Sequence, residues 1–260
     1  MGDPFSLDGA VALITGGGTG VGAATALLLA DRGANVVLAA RHLAELEQTA
    51  QRIRDRSGRR ALAVVADMKI DEDIAALVRR TEAEFDKIDV LVNNAGGTRA
   101  GLLVNEPTRA IDSALNLNLR GPLLLTREVG QRMVAQRAGA IVNISSGAGV
   151  TGMKGGAAYS AAKAGLQMLT RVTAAELGPY GVRANCVALG PIATERAIAA
   201  WNSIDLDLEG MTSRLPLRRV GTPEEVAYCV LFLASSASSY VTGQTFACDG
   251  GPILGGVDIP

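Results

Sequence analysis

Tyr159 and Lys163 stand four residues apart in the run Tyr159-Ser160-Ala161-Ala162-Lys163, so on a helix they share one face. A free phenol ionises near pH 10, too weakly for proton transfer at neutral pH. A neighbouring ammonium, joined by any further positive charge, would bring it down toward the working range. A phenol tuned in this way gives a proton to a carbonyl oxygen as that carbon is reduced, or takes one from an alcohol. Ser146 lies at the end of an apolar run upstream of Tyr159. Its hydroxyl is suited to hold the same substrate oxygen, although a serine at such a place also serves simply as a turn cap.

A second chemical signal comes near the start of the chain. Thr15-Gly16-Gly17-Gly18-Thr19-Gly20-Val21-Gly22 follows an apolar run and opens an Ala- and Leu-rich helical one. Gly16 permits the tight turn, Gly20 lets backbone approach a pyrophosphate and Gly22 lets the helix pack close. The helix then directs its free N–H groups at the phosphates. The end of the next strand, where an NAD site usually keeps an acidic residue, holds Ala40, Arg41 and His42. An arginine there can fork onto a 2′-phosphate that a carboxylate would repel. NADP(H) is therefore the preferred cofactor and NAD(H) a possible one. The alternative is a solvated Arg41 in a site that takes either. His42 reads as a neighbour of the phosphate rather than a base.

The elements that must position these groups alternate regularly. Strands are expected at Ala10–Thr15, Asn35–Ala40, Arg60–Ala66, Asp89–Val92, Ala140–Ser145, Arg183–Leu189 and Thr245–Cys248. Helices are expected at Val21–Arg32, Leu43–Arg56, Asp71–Phe85, Arg109–Leu117, Pro122–Gln136, Tyr159–Leu177 and Glu224–Ala234. Short, continuously apolar strands between helices imply parallel strands buried on both faces. The fold class is α/β: a single-domain, doubly wound parallel sheet (Rossmann type) of about seven strands with helices on both faces. The one break in the rhythm, residues 192–215, is expected to be an irregular substrate lid, with a pair of surface helices as the alternative.

The 260 residues carry a formal net charge of -1 with 48% hydrophobic residues. There is no broad positive field to attract nucleic acid or an anionic membrane, and no apolar run approaches the roughly 20 residues a bilayer needs. Cys186, Cys229 and Cys248 with the lone His42 make no usual zinc set, so no metal is expected. Met1–Asp8 has no signal-peptide layout. A cytoplasmic protein with free thiols is the default.

Taken together, these marks resemble the short-chain dehydrogenase/reductase family in its single-domain form, over Leu7 to Gly251. The glycine loop comes first. Asp67 follows the third strand, Asn93-Asn94-Ala95-Gly96 the fourth, then Asn118, Ser146, Tyr159 and Lys163, and finally Thr242-Gly243-Gln244 and Asp249-Gly250-Gly251. The resemblance implies a hydride transfer between cofactor and a carbonyl or secondary alcohol, with Asn118, Ser146, Tyr159 and Lys163 as catalytic tetrad. Tyr159 would be the acid/base, Ser146 would polarise the substrate oxygen, Lys163 would bind the nicotinamide ribose and lower the Tyr159 pKa, and Asn118 would hold a relay water. The cofactor would be met by Gly16, Thr19, Gly20, Val21, Arg41, Asp67, Met68, Asn94, Ala95, Gly96, Tyr159 and Lys163, and by a clamp of Gly190, Ile192 and Thr194. Where the family usually reads Pro-Gly before this clamp, the chain has Leu189-Gly190, which leaves the clamp's turn open to question.

Substrate-lining stretches are expected at 147–157, 97–103 and the lid, with Lys154 and Arg99 at the edges and Trp201 and Met211 as a cover. Their composition favours an apolar or uncharged substrate; 3-oxoacyl groups, sugars, steroids and cyclic alcohols all remain open. The rival to an enzyme is an NADP(H)-binding sensor on the same fold. The family further implies a homotetramer paired through the helices from Pro122 and Tyr159 and the last strands. The apolar tail 252–260 would cross to a neighbour or fold back on its own subunit.

Overall fold

The computed structural model describes residues 2–97, 100–203 and 205–251. Seven strands form one sheet: β1 (Val11–Thr15), β2 (Asn35–Ala40), β3 (Ala61–Val65), β4 (Val90–Asn93), β5 (Gly139–Ser146), β6 (Val182–Leu189) and β7 (Thr245–Cys248). Their order is β3-β2-β1-β4-β5-β6-β7, and every pairing is parallel. β1 is wholly buried, as a strand covered on both faces must be.

The crossovers are α1 (Gly20–Asp31), α2 (Leu43–Ser57), α3 (Asp71–Phe85), α4 (Thr108–Leu115), α5 (Gly121–Gln136), α6 (Ala148–Thr151), α7 (Ala157–Leu177), α8 (Glu195–Ser203), α9 (Leu208–Thr212) and α10 (Pro223–Ala234). Residues of α1, α2 and α10 pack on one face of the sheet around Ile14, Leu29, Leu46 and Val230. Those of α3, α5 and α7 pack on the other around Leu13, Leu77, Leu125 and Leu91. This alternation of inward side chains along β1, Leu13 to one face and Ile14 to the other, is the pleat of a doubly covered strand. The winding reverses between β1 and β4, which leaves a crevice at their C-terminal ends.

Two expectations need correction. Residues 192–215 are not irregular throughout: α8 and α9 lie within them, so the surface-helix alternative describes their local structure. The helices expected at Arg109–Leu117 and Pro122–Gln136 are one run, joined by a π-helical turn at Asn116–Arg120. Arg99 and the tail 252–260 lie outside the described residues.

Candidate active site

The glycine loop stands in the crevice where the winding reverses. Gly16 and Gly20 take φ of 66° and 53°, a left-handed conformation that glycine alone adopts readily. A Cβ at Gly22 would sit 2.0 Å from the Gly16 carbonyl oxygen, so only a residue without one lets α1 close on the loop. The loop is tied to the sheet from below. Thr15 Oγ1 accepts from the Asn94 and Ala95 amides at 3.0 and 2.9 Å, while Asn94 Nδ2 donates to the Thr15 carbonyl at 2.9 Å.

A cavity of about 480 Å³ opens above this loop. Its wall includes Gly16, Thr19, Gly20, Val21, Arg41, Asp67, Met68, Asn94, Ala95, Gly96 and Thr194, eleven of the residues singled out for a dinucleotide. Tyr159, Lys163, Gly190 and Ile192 are not part of this wall. Ile192 is buried and pairs with Gly221 in an isolated parallel bridge. Gly190 packs on Asp249, where a Cβ would come within 2.6 Å of backbone. The turn that lacks the family's proline is thus held by contact with the end of β7. The wall fits a dinucleotide in kind. It has the opening turn of α1 at one point, with amides that have no intrahelical partner, and an arginine after β2 at another.

Sequence reasoning missed Lys69, Ser113, Leu117, Glu195 and Arg196, which also line this cavity. Glu195 and Arg196 belong to α8, which falls in the segment expected to be irregular. The other three follow from the path of the chain between elements rather than from any motif.

The tetrad gathers where α7 meets the ends of β4 and β5. Lys163 is buried and donates from Nζ to the Ile144 carbonyl at 2.8 Å. Its ammonium lies 5.7 Å from the centre of the Tyr159 ring. Asn118 sits in the π-helical turn. There its Nδ2 donates to the carbonyls of Ala114 and Gly97, both at 2.9 Å, and its Oδ1 accepts from the Gly97 amide at 3.1 Å. Gly96 keeps the space between: a Cβ there would be 2.9 Å from Asn118 Oδ1 and 3.1 Å from Lys163 Nζ. Ser146 Oγ accepts from the Ala148 amide at 3.1 Å, the capping contact of the simpler reading, and its hydroxyl also acts on the Tyr159 phenol.

The titration of the pair departs from expectation. Burial pushes the Tyr159 phenol up, with the Ser146 hydroxyl pulling the other way. Burial brings Lys163 down to about 8, and it is not among the groups that shift Tyr159 in this structure. Desolvation penalises whichever form is charged, and at Tyr159 it outweighs the Ser146 hydroxyl.

Two residues that the motifs passed over hold the end of β5 against α7. Ser145 Oγ donates to the Lys163 carbonyl at 3.0 Å. Gln167 Nε2 donates to Ser145 Oγ at 3.1 Å and to the Ser146 carbonyl at 3.3 Å. Gln167 lies one helical turn beyond Lys163, a spacing that would have flagged it. The cysteines are all free; Cys229 and Cys248, remote in sequence, come together, and the Cys248 thiol beside it draws the Cys229 thiol down. No cluster that could hold a metal ion occurs among the described residues.

A family model described as enoyl-(acyl carrier protein) reductase matches residues 16–252. The 3-oxoacyl-[acyl-carrier-protein] reductase of Synechocystis sp. is 41% identical over 96% of this chain and 99% of its own. A solved structure described as a short chain dehydrogenase/reductase family protein is 39% identical, covers 95% of this chain and 98% of its own, and superposes with a TM-score of 0.85. Another, from Beutenbergia cavernae, was solved with NADP at low occupancy and provisionally described as an NAD(P)-dependent gluconate 5-dehydrogenase. It is 37% identical, with 95% and 98% coverage and a TM-score of 0.89.

Proposed function

The chain belongs to the short-chain dehydrogenase/reductase family, whose members are oxidoreductases of carbonyl and alcohol groups, and from that premise we propose that it uses NADP(H) in preference to NAD(H), with Tyr159 as general acid and base. The single observation that carries the proposal is the convergence of Asn118, Ser146, Tyr159 and Lys163 at the end of β5, beside a cavity walled by the glycine loop and Arg41. When bound, NADP(H) supplies or accepts the hydride. In the reducing direction Tyr159 gives the phenolic proton to the substrate oxygen, which the Ser146 hydroxyl orients; in the oxidising direction the phenolate takes it back. Lys163 is the charged group beside the ring and the candidate for the ribose hydroxyls. Asn118, fixed by three hydrogen bonds, is the candidate for positioning a relay water. Arg41 makes no ion pair or hydrogen bond among the described residues, so its guanidinium is free for a 2′-phosphate.

The substrate we infer is uncharged and apolar. Leu102, Leu103, Val104, Val150 and Met153 are all exposed on two segments flanking the start of α7, tied by a hydrogen bond from the Gly101 amide to the Gly155 carbonyl at 2.9 Å. Residues 192–215 would close over them as a lid on a single catalytic domain. A cytoplasmic setting, consistent with three unbridged thiols, and a homotetramer complete the proposal. No described helix is long and apolar enough to cross a membrane. A binding-only sensor would not require the full tetrad, and no feature of the site favours it.

The test is loss of NADPH absorbance with a panel of β-ketoesters, diketones and cyclic ketones, repeated with NADH. Turnover is expected with NADPH favoured, and Tyr159→Phe should lower it at least about a hundredfold, the low end for a positioned acid. A Tyr159→Phe variant as fast as the parent would remove Tyr159 from the chemistry.

A further inference from the structure

The reading of the cavity as a dinucleotide site uses Arg41 and leaves a second guanidinium unexplained. Six charged residues line the wall: Arg41, Lys69 and Arg196 against Glu45, Asp67 and Glu195. The sum is neutral, so the cavity as a whole does not concentrate anions, and individual positions matter. Lys69 stands 3.9 Å from the Asp67 carboxylate. Of the wall's cations, Arg41 and Arg196 form no ion pair or side-chain hydrogen bond among the described residues.

The two unpaired guanidiniums come from different elements. Arg41 follows β2, where an adenosine ribose would lie. Arg196 is the second residue of α8. The start of that helix stands against the glycine loop: a Cβ on Gly20 would be 3.0 Å from Thr194 Cγ2. Thr194 Oγ1 accepts from the Ala197 amide at 3.1 Å, which fixes the first turn of α8 in place. Gly20 is also the first residue of α1, the helix whose opening amides suit a pyrophosphate. Arg196, two residues beyond Thr194 and on the same cavity wall, therefore starts from the glycine-loop side of the cavity.

We propose that Arg196 is a cofactor-binding residue carried on the segment over the site, which grips the diphosphate bridge of the dinucleotide whether or not a 2′-phosphate is present. The proposal rests on the dinucleotide reading given above. Its consequence is a division of labour: Arg41 discriminates between the two cofactors, and Arg196 strengthens the binding of both.

The experiment measures the dissociation constants of NADPH and NADH by nucleotide fluorescence for the parent, Arg196→Gln, Arg196→Lys and Arg41→Gln, at low and physiological salt. Arg196→Gln is expected to weaken both nucleotides by a similar factor, about tenfold for one charge-assisted contact, and to flatten the salt dependence. Arg196→Lys should recover part of the loss. Arg41→Gln should weaken NADPH alone. Unchanged affinities in Arg196→Gln would overturn the proposal, as would a loss confined to NADPH, which would place Arg196 with Arg41. If Arg41→Gln leaves the preference intact while Arg196→Gln weakens both nucleotides, the NADP assignment fails and the Arg196 role stands. A parent chain that binds neither nucleotide overturns both. Arg196 is exposed, so circular dichroism should find each of its variants folded.

Discussion

Lys163 enters the interior with no carboxylate beside it among the described residues; its ammonium is met by the Ile144 carbonyl. A buried charge served by one neutral acceptor costs stability, and the drop to about 8 expresses that cost. The sign follows from linkage. The unfolded chain keeps this proton up to the ordinary lysine value near 10.4, whereas the folded chain releases it from about 8. Between those values the unfolded state binds more protons, so stability rises with pH. Denaturant titrations of the parent and Lys163→Met at pH 7, 8, 9 and 10 should show the parent gaining on the variant only above about pH 8. The full gain is on the order of 3 kcal/mol. A difference flat across that range would mean that the ammonium is better solvated than its burial implies. The acidity that the proposed role asks of Tyr159 is likewise not a property of the Tyr-Lys spacing alone, because burial acts on both members and raises the phenol.

Asn118 reaches the site because its helix is widened at one turn. The π-helical step at Asn116–Arg120 interrupts the regular ladder, as such steps often do at functional sites, and turns the Asn118 amide onto Gly97. The sequence shows Pro122, whose missing N–H ordinarily marks a helix start. It here falls just beyond the widened turn, so the break expected before it does not occur. The glycine loop is legible for the opposite reason: its constraints are local. Gly22→Ala would push a Cβ into the Gly16 carbonyl. It should cost at least about 1–3 kcal/mol, the usual penalty of overpacking, and abolish nucleotide binding. Gly178→Ala, with open space around it and an ordinary helical φ, is the matched control and should change neither. Thermal melts with and without NADPH make the comparison, and a nucleotide-binding Gly22→Ala of parent-like stability would refute the close-packing argument.

The doubly wound sheet leaves one helical face without a cover. Leu123 on α5 and Met168 and Val172 on α7 are exposed, although α5 and α7 each bury another side against the core. A helix apolar on more than one side needs a second partner, and two-fold pairing of identical faces provides one. Light scattering at micromolar concentration should therefore give at least a dimer's mass, and a tetramer's where the last strands pair as well, and Leu123→Glu with Met168→Glu should reduce it to a smaller species. A parent chain that is monomeric would leave these residues as ordinary surface.

The order of strands and helices was readable because each depends on local periodicity and on turn residues within a few positions, and the glycine loop and Tyr159-Lys163 pair are likewise short-range patterns. The sequence by itself determined an α/β sheet and a glycine-rich loop at its crossing point. It also marked a phenol and an amine on one helical face. Tertiary structure alone decided that Gln167 and Ser145 clamp the end of β5, that Cys229 meets Cys248, that Arg196 shares a wall with Arg41, and that burial moves Tyr159 and Lys163 as it does. These are contacts between segments distant along the chain, and solvent exclusion depends on everything packed around a group, so neither is written in any local run of residues.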